Sequence, residues 1–176
     1  KIDQMSSRSA QLKAEVSDLQ KALSELTKAQ AEMDKLRQEE HGDYEKAKPE
    51  MQQGVEGVKM ALKVLREYYA NDGKSHDAAE GAGSGIISML ELVESDFTKG
   101  LAEMTAAEEA AQASYDKETK ENEIEKAAKE QDVKYKSEEA TKLDESVAEA
   151  SSDLKGEQAE LDAVKEYLAS LEKQCI

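Results

Sequence analysis

The sequence has no tryptophan, and its 176 residues include one phenylalanine, one proline and one cysteine. Because aromatic side chains supply much of the buried area of a thick core, their scarcity argues against a large globular domain. One Pro and nine Gly also argue against an all-β protein, which needs a turn signal every few residues. No run of about 18 apolar residues occurs, so the sequence predicts no membrane span.

What dominates instead is Ala, Glu, Lys, Leu, Gln and Ser, and 36% of the residues are charged. Most of these are strong helix formers, and the bias is typical of long helices. The sequence therefore predicts an all-α fold, in which long antiparallel amphipathic helices form a coiled-coil hairpin or an elongated helical bundle. The predicted parts are a long helix over 1–70, a Gly-rich loop over 71–85 and an acidic helical arm over 86–176.

Two apolar seams step along the chain by four and three residues in turn, which is the a/d pattern of a coiled coil. Between them, Gly42 and Pro49 predict a kink near 42–49. The seams are the predicted assembly surfaces, and their main members are Leu12, Val16, Leu19, Leu23 and Leu26 in the first helix and Leu154, Leu161, Val164, Leu168 and Leu171 near the end.

The stretch 116–142 is polar and creates a packing problem. A blunt hairpin would place the seam of 12–36 opposite this stretch, and leucines facing charges are a poor match. Pairing 12–36 with 143–171 instead leaves the second half about 23 residues too long between its apolar blocks. Two solutions stay open: a break within 116–142 that gives four helices, or pairing of the leftover seam with another chain.

Charge is unevenly spread along the chain. Residues 1–70 carry 12 basic and 13 acidic residues, whereas 86–176 carry 11 basic and 24 acidic residues, a net charge of −13. An acidic surface repels nucleic acid and anionic membranes and attracts cations. The alternative interpretation is a solvated helix face that keeps the protein in solution.

No catalytic or cofactor motif is found. Neither a phosphate-binding Gly-rich loop, nor an EF-hand, nor a nucleophile elbow is present, and the two histidines, His41 and His76, stand 35 positions apart. The sequence predicts no enzyme and no tightly bound cofactor. Any calcium would bind weakly and diffusely to surface carboxylates such as Glu108, Glu109, Glu138 and Glu139.

Cys175 is the one cysteine and continues the second seam. It is interpreted in three ways: as a seam residue, as a partner in an intermolecular disulfide, or as a partner of a piece outside this chain.

Several segments resemble the trichocyst matrix, or granule lattice, proteins of ciliates and related alveolate protists. Gly85–Glu91 reads Gly-Ile-Ile-Ser-Met-Leu-Glu, which is similar to a "G-I-I-x-L-L-E" segment that follows a Gly-rich loop in the family. Further similarity lies over 35–175, in segments that share order and spacing: Glu39-Glu40-His41 with Tyr44; Phe97, Leu101, Glu108-Glu109, Ala111 and Tyr115; and Leu161, Tyr167-Leu168, Leu171 and Cys175. Pro49 and the absence of a second Cys depart from the family.

The resemblance implies a structural protein of a secretory granule, processed from a precursor and self-associating or packing with related matrix chains into a crystalline lattice. The localisation implied is the granule lumen before discharge and the outside of the cell afterwards. In such granules, calcium entering at exocytosis expands the lattice. Two other interpretations stay open: an intracellular coiled-coil scaffold that binds partner helices, and a surface-active helix on lipid, which the acidic balance disfavours.

Overall fold

The chain forms two long helices. The computed structural model describes residues 1–71 and 80–174, and the side chains of 1–69 and 84–173. Helix α1 spans Ile2–Asn71 and helix α2 spans Glu80–Gln174. The two pack antiparallel against each other, and no strand occurs in the described part, so the all-α helical hairpin is confirmed. No described helix has a stretch apolar and long enough to cross a membrane.

Helix α1 contains both residues that predicted its kink. Gly42 and Pro49 lie within the helix, which continues on either side of them. Pro49 has no N–H to donate, so the carbonyl of Glu45 loses its usual intrahelical partner. The kink itself stays a prediction.

Helix α2 corrects two expectations. Residues 80–85 of the predicted loop belong to the helix, while 72–79, including His76, lie outside the described residues. The polar stretch 116–142 is helical throughout, so the break proposed there is wrong. Acidic residues and lysines spaced four apart can stabilise the helix locally without an apolar core. One such pair is Glu125–Lys129, in which Lys129 Nζ lies 3.3 Å from Glu125 Oε1.

The pairing divides into two compact units. Unit 1 contains Lys1–Ala29 with Asn122–Ile176, and its most buried apolar side chains are Leu12 and Ala140. Contacts of Ser9 with Asp144 and of Glu15 with Lys136 fix how its two helical segments are aligned.

Unit 2 contains Gln30–Glu121, and Val55 and Leu62 are its buried apolar side chains. Here small residues allow close approach. A Cβ built on Gly54 would lie 3.5 Å from the Phe97 ring, and one on Gly100 would lie 3.6 Å from Met51 Sδ. Arg66 Nη2 lies 2.6 Å from Glu91 Oε1 across the same interface.

These alignments overturn the expected pairing of 12–36 with 143–171. The first seam faces the polar stretch instead, in the blunt register that the leucine–charge mismatch argued against. In unit 1, Leu19 and Lys136 line the same shallow groove. Ala140 is buried here, and the side chains of Lys129 and Lys136 are only 26% and 29% exposed although their ammonium groups reach carboxylates. A lysine can pack its aliphatic stem on apolar surface while its charge stays paired or solvated.

Candidate assembly interface

The helix–helix interface of unit 1 is fixed by a polar contact beside its most buried leucine. Ser9, three residues before Leu12, is 2% exposed, and its Oγ donates a hydrogen bond to Asp144 Oδ1 at 2.5 Å. Lys13 Nζ lies 2.6 Å from the other oxygen, Asp144 Oδ2. The Lys13 ammonium, followed by the Ser9 hydroxyl, holds the pKa of Asp144 below its ordinary value. Both carboxylate oxygens of Asp144 therefore bind side chains of α1 and help to hold the two helical segments of unit 1 together.

A second ion pair follows along unit 1. Lys136 donates to Glu15 Oε2, and Gln11 Nε2 donates to Glu15 Oε1 at 2.9 Å. The hydrogen bond from Lys136 is the larger cause of a lowered pKa at Glu15. Arg8 Nε lies 3.7 Å from Glu139 Oε1 further along. Glu139, proposed as a diffuse calcium ligand, thus has a cation beside it.

A charged cluster occupies the interface of unit 2 where a coiled coil would place an apolar residue. Arg37 stands on the first seam and is 7% exposed. Its Nη2 donates to Glu108, its Nε donates to Gln112 Oε1 at 3.2 Å, and its Nη1 lies 3.5 Å from Glu40 Oε2. A buried guanidinium is tolerated because each of its nitrogens has an acceptor.

His41 completes this cluster. Its Nδ1 lies 2.6 Å from Glu108 Oε1, and its Nε2 lies 3.4 Å from Glu45 Oε1. The hydrogen bond with His41, and after it the one from Arg37, holds the pKa of Glu108 below its ordinary value. Glu108 is therefore a structural partner of two basic side chains, so fewer of its carboxylate lone pairs are available to a metal ion.

A tyrosine hydroxyl joins the same unit one turn further along. Tyr115 Oη donates to Asp34 Oδ1 at 2.9 Å, and Gln30 Nε2 donates to Thr119 Oγ1 at 3.1 Å. The bond to the Asp34 carboxylate raises the pKa of Tyr115, because it favours the protonated phenol. The cross-helix contacts in this part of unit 2 are thus largely polar.

The two predicted seams have different environments. In the first, Leu12 is fully buried and Val16, Leu19, Leu23 and Leu26 are half-buried, so this seam packs within the chain. In the second, every side chain from 152 to 173 is exposed. We call its apolar members the C-terminal stripe: Leu154, Leu161, Val164, Leu168 and Leu171, each between 39% and 58% exposed.

Burial along α2 ends just before the stripe. Ser9 contacts the turn at 140–144, and the side chains of Val147 and Ala150 are still half-buried. From 152 to 173 every side chain of α2 is exposed. The stripe is therefore apolar surface without an intramolecular partner among the described residues.

The predicted metal ligands are not gathered into a site. Glu109 and Glu138 lie on the exposed surface, like Glu139. Over 1–71 and 80–174, no three His, Cys, Asp or Glu side chains come together in a way that could hold an ion. Weak, diffuse calcium binding stays a prediction. Cys175 lies outside the described residues.

Sequence reasoning missed the cluster around Arg37, although a signal for it was present. Arg37 occupies a seam position, where a charged side chain must find a partner to be buried. Glu108 and Gln112 stand one turn apart on α2 and so can reach the same guanidinium. What the sequence does not reveal is the alignment of α1 with α2 that brings them together.

Comparison of the chain with protein-family models, with curated proteins and with solved structures finds no significant match.

Proposed function

We propose that this chain is a structural protein that packs into the crystalline matrix of an extrusive secretory granule. The observation that carries the proposal is the C-terminal stripe, since leucines at coiled-coil spacing that lie open on a helix are suited to packing against another helix. The resemblance of the sequence to granule lattice proteins adds the location. In this proposal the protein is not an enzyme and holds no tightly bound cofactor.

The proposed response to discharge is a change in charge balance. The acidic excess lies in 86–176, with a net charge of −13. Like charges on neighbouring chains repel, and their repulsion depends on bound cations and on protonation. Calcium entering the granule, or a pH change, would alter this balance and shift the chains from a compact to an expanded packing.

Two measurements test the proposal. Immunogold labelling of the source cell is expected to mark the lumen of an extrusive organelle. Light scattering or X-ray spacing of the assembled protein is expected to change when millimolar calcium is added. Labelling elsewhere in the cell, or a spacing that calcium leaves unaltered, would contradict the granule function.

A second candidate function is an intracellular coiled-coil scaffold. The same exposed stripe favours it, because an a/d seam accepts a partner helix wherever the protein resides. Cell fractionation distinguishes the two candidates: a chain recovered in cytosol with Cys175 reduced supports the scaffold and contradicts the granule.

A further inference from the structure

The C-terminal stripe is narrow. Its members lie at positions 154, 161, 164, 168 and 171, and Glu157 occupies the remaining seam position. Steps of three and four residues keep these side chains on one line along α2, which suits the groove of a single partner helix. A lipid surface would need a wider apolar face flanked by basic residues. Between 152 and 173, however, six acidic residues outnumber three lysines.

We infer that two copies of this chain associate through this stripe, with the two 152–173 segments antiparallel about a twofold axis. The inference deepens the proposed function and rests on it for its biological setting. A twofold interface requires one patch to be complementary to itself. The register that gives every layer at least one leucine or valine places Leu154 opposite Leu171 and Leu161 opposite Val164 of the other copy.

Charge selects the antiparallel direction. A parallel, in-register pair would place Glu157 directly against its own copy, and like charges at such a position are destabilising. In the antiparallel register, Glu157 lies opposite Leu168 of the other copy, and the Lys165 ammonium there is the nearest cation. Two symmetric Glu157–Lys165 ion pairs then form at the second and fifth of the six layers.

The size of this surface predicts a weak dimer. Ten large apolar side chains in six layers form an interface well below the standard size of about 1,600 Å². We expect a dissociation constant on the order of 10 μM, since interfaces of this class must also offset the loss of translational freedom. The full chain should therefore be monomeric when dilute and dimeric when concentrated.

Sedimentation equilibrium of the full chain from micromolar to millimolar concentration tests this directly. Leu161→Asp is expected to raise the dissociation constant at least 100-fold. Ala159→Asp adds the same charge to the opposite face of the helix and is expected to leave the constant within about threefold of wild type. Circular dichroism of each variant verifies that α2 stays helical. A chain that remains monomeric at millimolar concentration, or equal effects of the two variants, would overturn the inference.

Exchange of the proposed ion pair tests the direction and the register. Glu157→Lys and Lys165→Glu, each alone, should weaken the dimer about tenfold, because each places two like charges together. The double variant should return the constant to within about threefold of wild type. If the double variant is as weak as either single variant, the antiparallel register is wrong.

The outcomes separate this inference from the proposed function. Granule labelling and a calcium response from a chain that stays monomeric would overturn the antiparallel dimer and leave the granule function standing. A stripe-dependent dimer of a chain found in cytosol would support the dimer and contradict the granule.

Discussion

Ser9 donates a hydrogen bond to Asp144 at 2.5 Å although 135 positions separate the two residues in the chain. The contact ties the start of α1 to α2 beside Leu12, which is fully buried. A buried hydroxyl needs an acceptor, and Asp144 provides one that also faces Lys13. The alignment of unit 1 therefore depends on a polar contact as much as on leucine packing.

Replacing Ser9 with alanine is expected to lower the free energy of unfolding by about 1 kcal/mol, the usual contribution of a hydrogen bond from a buried hydroxyl. Urea unfolding followed by circular dichroism measures the change. Ser7→Ala, at an exposed position of the same turn, is the matched control and should stay within about 0.5 kcal/mol of wild type. Equal effects of the two variants would show that the contact with Asp144 contributes nothing.

Lys136 is expected to stabilise unit 1 through its stem more than through its charge. Lys136→Met keeps an aliphatic chain beside Leu19 and should alter the free energy of unfolding only slightly. Lys136→Ser removes three methylene groups, which are only partly buried, and should cost about 1–2 kcal/mol, since a fully buried methylene contributes about 0.8 kcal/mol. Chemical unfolding of the two variants gives the comparison. A Met variant as unstable as the Ser variant would assign the contribution to the ion pair with Glu15 instead.

The contribution of Glu108 to stability should depend on pH. His41 and Arg37 lower the pKa of Glu108 in the folded state. The ionised carboxylate therefore stabilises the fold fully at pH values above the pKa of a glutamate in the unfolded chain, about 4.3. This contribution is lost as the pH falls through the lower pKa of the folded state. The melting temperature of wild type should thus exceed that of Glu108→Gln at pH 7, and the difference should shrink below about pH 4.

Comparing the two proteins at each pH removes the effect of the other carboxylates, whose protonation relieves the repulsion within a chain of net charge −16. Glu109→Gln, at the exposed neighbouring position, is the matched control, and its effect at pH 7 should be smaller. A difference between wild type and Glu108→Gln that persists undiminished at pH 2 would contradict the assigned cause.

Glycines within α1 offer a test of how closely the helices approach. Gly42→Ala should stabilise the protein by about 0.5–1 kcal/mol, because nothing lies within 4 Å of the added Cβ and alanine loses less entropy on folding. Gly54→Ala should give a similar gain, since its Cβ would meet the Phe97 ring at an ordinary 3.5 Å. Gly54→Leu has no such room and should destabilise. Thermal unfolding measures all three, and a stabilising Gly54→Leu would contradict the close packing of Phe97.

The sequence predicted the helices and the hairpin because helix propensity and four/three spacing are local properties. It predicted the wrong register because apolar matching treated Lys129 and Lys136 as charges only. Their side chains are largely covered while their ammonium groups reach Glu125 and Glu15. Because a lysine stem is itself apolar, the polar stretch can face a leucine seam. A hydropathy pattern assigns one value to each residue, so it does not reveal that the stem of a lysine is apolar while its end is charged.

The boundary of the second helix was missed for a related reason. Gly81, Gly83 and Gly85 predicted a loop, since glycine is costly within a helix. The helix nevertheless starts at Glu80. Half-buried Ile87 and Leu90 contribute packing against the other helix of unit 2, and such tertiary contacts override local propensity.

The buried guanidinium of Arg37 has a consequence for the choice among competing alignments of unit 2. Sliding α2 by one heptad would replace Glu108 with Leu101 or Tyr115 and Gln112 with Thr105 or Thr119. Neither position on α2 would then offer a carboxylate to the cation, and only Glu40 of its own helix would remain. Leucine and alanine tolerate such a shift because their contacts are alike in every heptad, whereas a desolvated charge does not. The ion pair of Arg37 with Glu108 thus favours one alignment of the two helical segments of unit 2 over other alignments whose apolar contacts are nearly the same.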